Sequence, residues 1–582
     1  MCKIIELRDV SYCYPNSGKP SLKNVTFSAE KGTFVAIMGP TGAGKTTLNL
    51  CLNGLIPQLL EGDFTGNITV AGQDLSLNGV QSMVKHIGLV LDDPETQIFG
   101  RTVQEDTAFG PVNLSLPAEE IYRRVVEALN RVGLKGYEER DTSGLSGGEQ
   151  QRLAIAGVLA MQPEVLVLDE PASELDPVGR TEIYKTIDDL RLAKRLTILV
   201  TEHYGEEISK RADQVIVFNR GEIVWQGVPE ELFRNISLLD RFGIRPVPVS
   251  LVGWDFYQKG WITLDEIPLD VLSAEKMVRN VLSKHSLRDS LSSFKPESFR
   301  RPDTKAPVVL QVSNLLYQYT PDIIALQSVN LTIRRGEFVA LIGRNGSGKT
   351  TLTKHFNGLL KPTDGEVVVD GMNTKKFNTS ILAQVVGYVF QNPDHQIFSN
   401  SLERELAYGL KNAGLDDAEI KLRVDNALKL TGLEQQRNDH PFSLGKGERQ
   451  KVAVASILAL EPKILVIDEP TTGQDWAGMQ NMMALIKQLH ENGTTVIMIS
   501  HDMEIVAKYA QRVIVMKDGG ILLEGSTREV FENFEMLEQA GIVPPQIVRL
   551  TARLKDLGFE DTFLNEKEFA ETISQVLEDS SC

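Results

Sequence analysis

Two glycine-rich segments, each ending in a lysine and two threonines, are the parts of this chain most suited to bind phosphate. They read GPTGAGKTT at residues 39–47 and GRNGSGKTT at residues 343–351. The glycines let consecutive backbone N–H groups converge on phosphate oxygens at the start of a helix, and the lysine reaches the β and γ phosphates. A chance glycine-rich turn is the alternative, and two copies at equivalent positions argue against it. The predicted ATP-binding residues are Gly39, Pro40, Thr41, Gly42, Ala43, Gly44, Lys45, Thr46, Thr47, Gly343, Arg344, Asn345, Gly346, Ser347, Gly348, Lys349, Thr350 and Thr351.

An Asp-Glu pair follows an apolar run in each copy, as VLVLDEP at residues 165–171 and ILVIDEP at residues 464–470. Phosphoryl transfer needs one carboxylate to hold Mg²⁺ and a second group to polarise the attacking water. Acidic residues that merely end a strand are the alternative for either pair alone. The predicted metal ligands are Thr46, Asp169, Thr350 and Asp468, and the predicted catalytic carboxylates are Glu170 and Glu469.

Two further residue types recur at matching positions. His203 and His501 follow the next apolar run and are predicted to contact the γ-phosphate as catalytic residues. A satisfied structural histidine is the alternative. Tyr14 and Tyr319, upstream of the glycine-rich segments, are predicted to stack on adenine, with core packing as the alternative.

The order of these segments predicts a parallel α/β sheet in each half of the chain. TFVAIMG and EFVALIG are short β-rich runs that enter the glycine-rich turns, and VLVLDE and ILVIDE are continuous apolar runs typical of strands buried on both faces. Ligands of such sheets bind at the carboxyl ends of the strands, where the predicted site residues fall.

The two halves form an internal repeat. Lys45 and Lys349 are 304 residues apart, and His203 and His501 are 298 apart, so the copies share one fold with small loop changes. FGIRPVPVSL and AGIVPPQIVRL show that each half also ends in a similar appended segment. The Pro- and Ser-rich residues 292–307 are predicted to form an exposed linker. The predicted domains are residues 1–245, 246–307 (appended segment and linker), 308–545 and 546–582 (a C-terminal helical segment).

Composition narrows the possible classes of protein. Of 582 residues, 42% are hydrophobic and 24% charged, which is ordinary for a globular chain, and the net charge of −17 argues against a broad nucleic-acid surface. The four cysteines form no C-x-x-C pair, so neither a zinc site nor an iron–sulfur cluster is expected. We find no transmembrane run and no signal peptide, and we expect a cytoplasmic chain whose membrane role needs partner subunits.

The run LSGGEQQR at residues 145–152, with LGKGERQK at residues 444–451, resembles the signature of ABC-type ATPases. The resemblance implies two tandem P-loop NTPase (ABC ATPase) domains of the α/β class. Each has a mixed, mainly parallel sheet, a helical subdomain and a small appended C-terminal segment. It implies ATP and Mg²⁺ as cofactors and hydrolysis at head-to-tail composite sites, where the P-loop of one domain meets the signature of the other. The signature residues then expected to contact ATP are Ser146, Gly147, Gly148, Gly445, Lys446 and Gly447.

Residues 87–111 and 386–410 more narrowly resemble the ATPase subunits of energy-coupling factor transporters. That resemblance implies a peripheral position on the cytoplasmic membrane face and uptake of a vitamin or a metal ion. The implied partners are an integral-membrane coupling subunit and a membrane-embedded substrate-binding subunit. At the position where the family uses a glutamine to sense Mg²⁺ and the membrane partner, the second half has Gln391 and the first has Asp92, and both are predicted metal-site residues.

Head-to-tail pairing predicts that the departures from the family pattern fall on one site. The first P-loop, with Asp92, would meet Gly445 and Lys446 where the first half has Ser146 and Gly147. The other composite site keeps every expected residue. We therefore expect the intact site to hydrolyse more ATP and the impaired site mainly to hold it, with neutral drift in a tolerant site as the alternative.

Two other functions remain possible from the sequence. One is a soluble tandem ABC ATPase acting on ribosomes or nucleic acid, which the short Pro/Ser-rich linker and the acidic charge disfavour. The other is the fused ATPase of a sugar importer, which the appended tails fit less well. The transported substrate is not encoded in this chain.

Overall fold

The computed structural model describes residues 3–15, 17–75, 77–173, 175–194, 196–284, 305–559 and 561–579. The chain divides into two compact units, Met1–Trp254 with Thr263–Asp270, and Asp255–Ile262 with Val271–Cys582. The predicted linker lies outside the described residues up to residue 304, and the domain boundaries drawn from the sequence stay predictions.

The strands of the two halves correspond one to one in chain order. Those of the first half are β1 (Lys3–Cys13), β2 (Leu22–Glu30), β3 (Phe34–Met38), β4 (Asp63–Val70), β5 (Gln73–Asp74), β6 (Ile87–Val90), β7 (Val165–Asp169), β8 (Thr197–Thr201), β9 (Gln214–Asn219) and β10 (Glu222–Gly227). Those of the second half are β11 (Val308–Thr320), β12 (Ile323–Arg334), β13 (Phe338–Ile342), β14 (Asp364–Val369), β15 (Met372–Asn373), β16 (Val386–Val389), β17 (Ile464–Asp468), β18 (Thr495–Ile499), β19 (Arg512–Lys517) and β20 (Gly520–Ser526).

The α-helices lie between and after these strands. Up to the linker they are α1 (Lys45–Leu52), α2 (Leu55–Gln58), α3 (Val80–Met83), α4 (Val103–Asn113), α5 (Ala118–Arg131), α6 (Gly147–Leu159), α7 (Pro177–Lys194), α8 (Gly205–Arg211), α9 (Pro229–Phe233), α10 (Ile236–Phe242), α11 (Pro248–Gln258) and α12 (Val271–Lys284). After it they are α13 (Lys349–Lys354), α14 (Thr379–Leu382), α15 (Leu402–Asn412), α16 (Asp417–Thr431), α17 (Lys446–Leu458), α18 (Trp476–Glu491), α19 (Met503–Tyr509), α20 (Thr527–Glu532), α21 (Phe534–Gln539), α22 (Gln546–Arg553) and α23 (Glu566–Asp579). Within the described part of the chain, no helix is both long and apolar enough to span a bilayer.

The main sheet of each half has six strands in the same order. That order is β10-β9-β3-β8-β7-β6 in the first half and β20-β19-β13-β18-β17-β16 in the second. All neighbours are parallel except for the antiparallel edge pairs β9 with β10 and β19 with β20. The strands β3, β7 and β8 are buried at every position, because elements cover both faces of the sheet. The predicted mixed, mainly parallel sheet is confirmed.

A second, antiparallel sheet accompanies each main sheet and was not predicted from the sequence. Its strand order is β2-β1-β4-β5 in the first half and β12-β11-β14-β15 in the second. In β2 the buried residues Leu22, Val25, Phe27 and Ala29 alternate with more exposed ones, as in a strand with one face on the core. This sheet positions Tyr14, which follows the end of β1.

Three helices in each half form the predicted helical part. In the first half α4, α5 and α6 contact one another, and in the second half α15, α16 and α17 do so. The helix α4 begins with a capping box, in which Thr102 and Glu105 satisfy each other's backbone N–H groups. The signature run supplies the start of α6, so the helical part presents it at a helix N-terminus.

Appended helices from both halves of the sequence meet within the second compact unit. The helix α12 packs beside α22. The Arg279 guanidinium donates to both carboxylate oxygens of Asp556 at 2.8 Å, and Arg553 donates to Glu275. Because such exposed ion pairs contribute only about 0–1 kcal/mol each, the buried residues of α12, such as Val278 and Leu282, supply most of its attachment. The sequence showed that the two tails are similar but did not show that they pack together.

We predict that adding one methyl group between β6 and α6 destabilises the first half. A Cβ at Gly88 would lie 2.1 Å from Val158 Cγ1, and the same clash recurs in the second half, where a Cβ at Gly387 would lie 2.3 Å from Ile457 Cγ2. Overpacking of a filled interior costs about 1–3 kcal/mol, so Gly88→Ala should lower the thermal unfolding midpoint. The control is Gly157→Ala on α6, where the added Cβ meets nothing within 4 Å. Equal midpoints for the two variants would contradict the prediction.

Candidate functional site

The phosphate-binding turn of each half connects a buried strand to a helix. In the first half β3 ends at Met38 and α1 begins at Lys45, and the intervening Gly39, Gly42 and Gly44 have φ of 138°, 75° and 104°. A Cβ at Gly39 would lie 2.1 Å from the carbonyl oxygen of Phe218 in β9. Only glycine fits there, because the neighbouring strand approaches the turn so closely. The positive φ values of these glycines therefore give the turn the conformation in which consecutive N–H groups can converge on a phosphate.

The P-loop lysines occupy matching positions. Lys45 Nζ donates to the carbonyl oxygens of Gly39 and Pro40 at 2.8 and 3.0 Å. Lys349 Nζ donates to those of Gly343 and its neighbour at 2.8 and 2.9 Å. Both lysines are buried over their own loops.

The aspartates that end β7 and β17 each interact with a P-loop threonine, Thr46 or Thr350, but their further hydrogen bonds differ. Asp468 Oδ2 accepts from Thr350 Oγ1 at 2.8 Å and from the Tyr388 hydroxyl at 3.3 Å. Asp169 Oδ1 instead accepts a short hydrogen bond from Thr201 Oγ1. Burial raises the pKa of both aspartates. The paired oxygens of Thr350 and Asp468 are the hard donors that Mg²⁺ prefers, so the residues present fit this metal.

Each catalytic carboxylate candidate has a left-handed backbone beside a histidine. Glu170 and Glu469 have φ of 46° and 50°, a conformation that costs non-glycine residues energy and is concentrated at functional sites. His203 Nε2 lies 2.9 Å from Glu170 Oε1, and His501 Nε2 lies 3.4 Å from Glu469 Oε1. Burial, followed by the negative charge of the adjacent Asp468, raises the pKa of Glu469. The structure thus brings the predicted glutamates and histidines together in both halves.

The predicted adenine-stacking tyrosines lie beside the P-loop helices. The Tyr14 hydroxyl is 3.3 Å from Thr47 Oγ1, and the Tyr319 hydroxyl is 3.1 Å from Thr351 Oγ1. Each ring also meets the edge of a second tyrosine two residues earlier in the chain. The Tyr319 residue is 52% exposed, so its ring is accessible to a planar ligand.

The two signature helices begin differently. Ser146 caps α6, since its hydroxyl accepts from Glu149 N at 3.4 Å and donates to Glu149 Oε2 at 2.9 Å. Gly445 at the equivalent position of α17 has no hydroxyl and donates only its N–H, to Glu448 Oε2 at 3.3 Å. Lys446 extends beside Gly473, whose added Cβ would lie 3.3 Å from the lysine Cε. The glycines at 147, 148 and 447 lie in the first turns of these helices.

The predicted metal-site residues Asp92 and Gln391 are exposed and follow the edge strands β6 and β16 by two residues. The negative charge of Asp92 contributes to the raised pKa of Asp169.

Polar residues that the sequence patterns did not indicate surround these groups. Thr201 and Glu202 stand where the second half has Ile499 and Ser500, and Tyr388 stands where the first half has Leu89. Burial raises the pKa of Glu202. A position-by-position comparison of the two halves would have found all three differences, since each places a polar group opposite an apolar or smaller one.

Comparison with known proteins agrees with this geometry. The family model described as ABC transporter matches residues 22–173 and 326–472. This chain belongs to the ABC transporter ATPase family. It is 42% identical over 561 residues to a protein of Methanosarcina acetivorans provisionally named as an ABC transporter ATP-binding protein, covering 96% of this chain and 91% of that one. A protein of Caldanaerobacter subterraneus subsp. tengcongensis with the same provisional name is 41% identical over 571 residues, covering 97% and 98%.

Among solved structures, CbiO1 from Clostridium perfringens, described as part of the ABC transporter complex cbiONQ, is 38% identical. It covers 42% of this chain and 99% of its own length, with a TM-score of 0.37. The family membership makes this chain an ATP hydrolase with two tandem ABC ATPase domains that bind ATP with Mg²⁺.

We predict that the Tyr319 ring contributes to ATP affinity by stacking. In a Lys45→Ala background, where binding reports on the second half, Tyr319→Ala should raise the Kd for ATP about 5- to 150-fold, since aromatic stacking on a base contributes roughly 1–3 kcal/mol. Tyr319→Phe keeps the ring and loses only the hydroxyl contact to Thr351, so its Kd should change less than about threefold. Equal losses in the two variants, measured by equilibrium ATP binding, would exclude stacking.

Proposed function

We propose that this ATPase is the energy-coupling subunit of a membrane importer that takes up a small solute of the vitamin or metal-ion class. It is peripheral to the cytoplasmic face of the cell membrane and docks on an integral-membrane coupling subunit, which holds a membrane-embedded substrate-binding subunit. The proposal is supported by one exposed aromatic pair in each half, at equivalent positions.

Each aromatic pair joins a residue of the segment after the Asp92 or Gln391 loop to a residue on the following helix, α4 or α15. In the first half the rings of Phe99 and Phe109 are 5.8 Å apart, and the residues are 70% and 55% exposed. In the second half Phe398 and Tyr408 are 4.6 Å apart and 62% and 51% exposed. Large apolar groups exposed together mark interaction surfaces. These pairs lie next to the Asp92 and Gln391 loops, the proposed sensors of Mg²⁺. A membrane subunit that docks on the pairs would therefore be placed where its movement can be coupled to ATP.

The chemistry within each half follows from the placed side chains. The P-loop N–H groups and lysine would bind the phosphates, and the threonine and aspartate oxygens would hold Mg²⁺, which when bound would neutralise charge on the phosphates. Glu469 or Glu170 accepts a proton from the water that attacks the γ-phosphorus, whose bond to the bridging oxygen breaks as ADP leaves. The neighbouring His501 or His203 orients that carboxylate and contacts the γ-phosphate.

We further propose that the two sites are unequal. The head-to-tail pairing that the family resemblance implies would place the P-loop of the first half opposite Gly445 and Lys446, and that of the second half opposite the complete signature at Ser146. Loss of the serine hydroxyl removes a hydrogen bond to a charged phosphate, which contributes about 1.5–3 kcal/mol and corresponds to roughly a 10- to 150-fold change in rate if it forms in the transition state. The second half then performs most of the hydrolysis, and the first mainly holds ATP.

We predict unequal losses when the catalytic carboxylates are removed one at a time. In steady-state ATPase assays of the assembled complex, Glu469→Gln should remove most of the hydrolysis, whereas Glu170→Gln should leave at least half. The two changes are chemically identical, so each is the control for the other. Equal losses would contradict the inequality and favour neutral drift.

We predict that the aromatic pairs bind the membrane subunits. The double variant Phe99→Glu and Phe398→Glu should lose co-purification with the coupling subunit and membrane association, because two carboxylates cannot enter an apolar groove without a large desolvation cost. ATP binding by the isolated chain should be unchanged. The control is Leu192→Glu on α7, where a leucine that is 82% exposed is replaced.

Membrane association that persists when the neighbouring membrane subunits are deleted would contradict this docking. Co-purification with ribosomes in place of membrane proteins would favour the soluble tandem ATPase considered above.

A further inference from the structure

A buried carboxylate lies directly before the catalytic histidine of the first half. Glu202 follows the last residue of β8 and precedes His203, and it is only 1% exposed. Glutamate is rarely so fully buried unless polar groups satisfy it. The mechanism proposed above gives this residue no role.

Three donors converge on the Glu202 side chain. Its Oε1 accepts the backbone N–H of His203 at 3.0 Å and of Tyr204 at 3.2 Å. Its Oε2 accepts the hydroxyl of Tyr184 on α7 at 2.7 Å. Oε1 of Glu202 thus binds the backbone of the histidine loop, and Oε2 is bound by a side chain of the helix α7.

Aromatic and guanidinium groups enclose this arrangement. Tyr184 is fully buried, with the Arg211 guanidinium carbon 5.0 Å from its ring centroid. The Arg180 guanidinium carbon lies 3.7 Å from the ring centroid of Tyr204. These contacts restrict both the side chain that anchors Glu202 and the residue that follows His203.

The second half builds the same loop without these residues. Met483 replaces Tyr184 and Ser500 replaces Glu202, and both are buried. Ser500 Oγ accepts the N–H of Asp502, at 3.1 Å. The backbone N–H of His501 instead donates to Oε2 of the catalytic Glu469, at 3.2 Å.

The two loops therefore differ in where the histidine N–H is directed. In the first half it donates to Glu202, and the imidazole lies 2.9 Å from Glu170. In the second half it donates to the catalytic carboxylate itself, and the imidazole lies 3.4 Å from Glu469. Glu202 thus takes over a hydrogen bond that would otherwise engage the catalytic glutamate.

We propose that Glu202, held by Tyr184, is a positioning residue that sets the place of His203 against Glu170 and so maintains ATP hydrolysis in the first half. The inference rests on the proposed role of His203 in hydrolysis. Displacement of a catalytic group by about 1 Å can reduce a rate about 100-fold, so the anchor matters most in a site that has already lost other contacts.

The test isolates the first half in the full chain with Glu469→Gln and measures single-turnover ATP hydrolysis. Adding Glu202→Ser with Tyr184→Met, which reproduces the pair of the second half, should lower the rate constant about 10- to 100-fold. The concentration of ATP at half-maximal rate should change less than about twofold. A variant with Glu202→Gln in place of the double substitution should keep most of the rate, since the glutamine amide oxygen still accepts both backbone N–H groups.

The same double substitution in a Glu170→Gln background is the matched control. Hydrolysis there depends on His501, and we expect a loss below about twofold. Equal losses in the two backgrounds would assign the pair a general structural role and overturn the proposal, as would an unchanged rate in both. Absence of hydrolysis in the Glu469→Gln background would also overturn it, because the first half would then have no reaction to support.

His203→Ala in the Glu469→Gln background separates this proposal from the one on which it rests. An unchanged rate would mean that the proposed role of His203 is wrong. A reduced rate for His203→Ala together with an unchanged rate for the Glu202 and Tyr184 pair would overturn the positioning role alone.

Discussion

Every other feature of the two sites depends on the P-loop, the glycine-rich turn between the first strand of the main sheet and its helix, where backbone N–H groups converge. A strand buried at every position delivers the chain to this turn, and the neighbouring strand approaches so closely that Gly39 admits no side chain. The helix α1 then begins at Lys45. The partial positive charge of the helix N-terminus therefore adds to the charge of the lysine. Because β3 lies between β9 and β8, the aspartate, glutamate and histidine on the following parallel strands reach the same edge.

Beneath this shared edge, the two halves use different polar side chains to donate hydrogen bonds to their buried aspartates. Tyr388 and Thr350 donate to the second aspartate, whereas Thr201 donates to the first. Each arrangement gives a buried carboxylate at least one hydrogen-bond donor, which the low-dielectric interior favours. The differences between the halves therefore extend from the predicted ATP-binding residues into the core. Glu202 and Tyr184 belong to that deeper layer, where one polar pair replaces an apolar and a small residue.

Much of the site could be predicted because its patterns are local. The glycines, lysine and threonine of a P-loop are contiguous, and the Asp-Glu pair directly ends an apolar run, so spacing along the chain was enough to find them. The antiparallel sheet was missed because β1 pairs with β4, from which β2, β3 and α1 separate it in the chain, and no local pattern indicates such a pairing. The contact between Tyr184 and Glu202 was missed because the residues are 18 positions apart on different elements.

The sequence by itself determined the duplicated ATPase chemistry, the α/β class and the positions at which the halves depart from one another, since all three are properties of residue type and local order. Only the tertiary structure decided which partner each buried carboxylate has, and that the appended helices α12 and α22 pack within one compact unit. It also decided that the N–H of His203 is donated to Glu202 while that of His501 is donated to Glu469. The physical reason is that hydrogen bonds and packing act over a few ångströms between residues far apart in the chain, and no pattern of spacing specifies which neighbour folding brings within that distance.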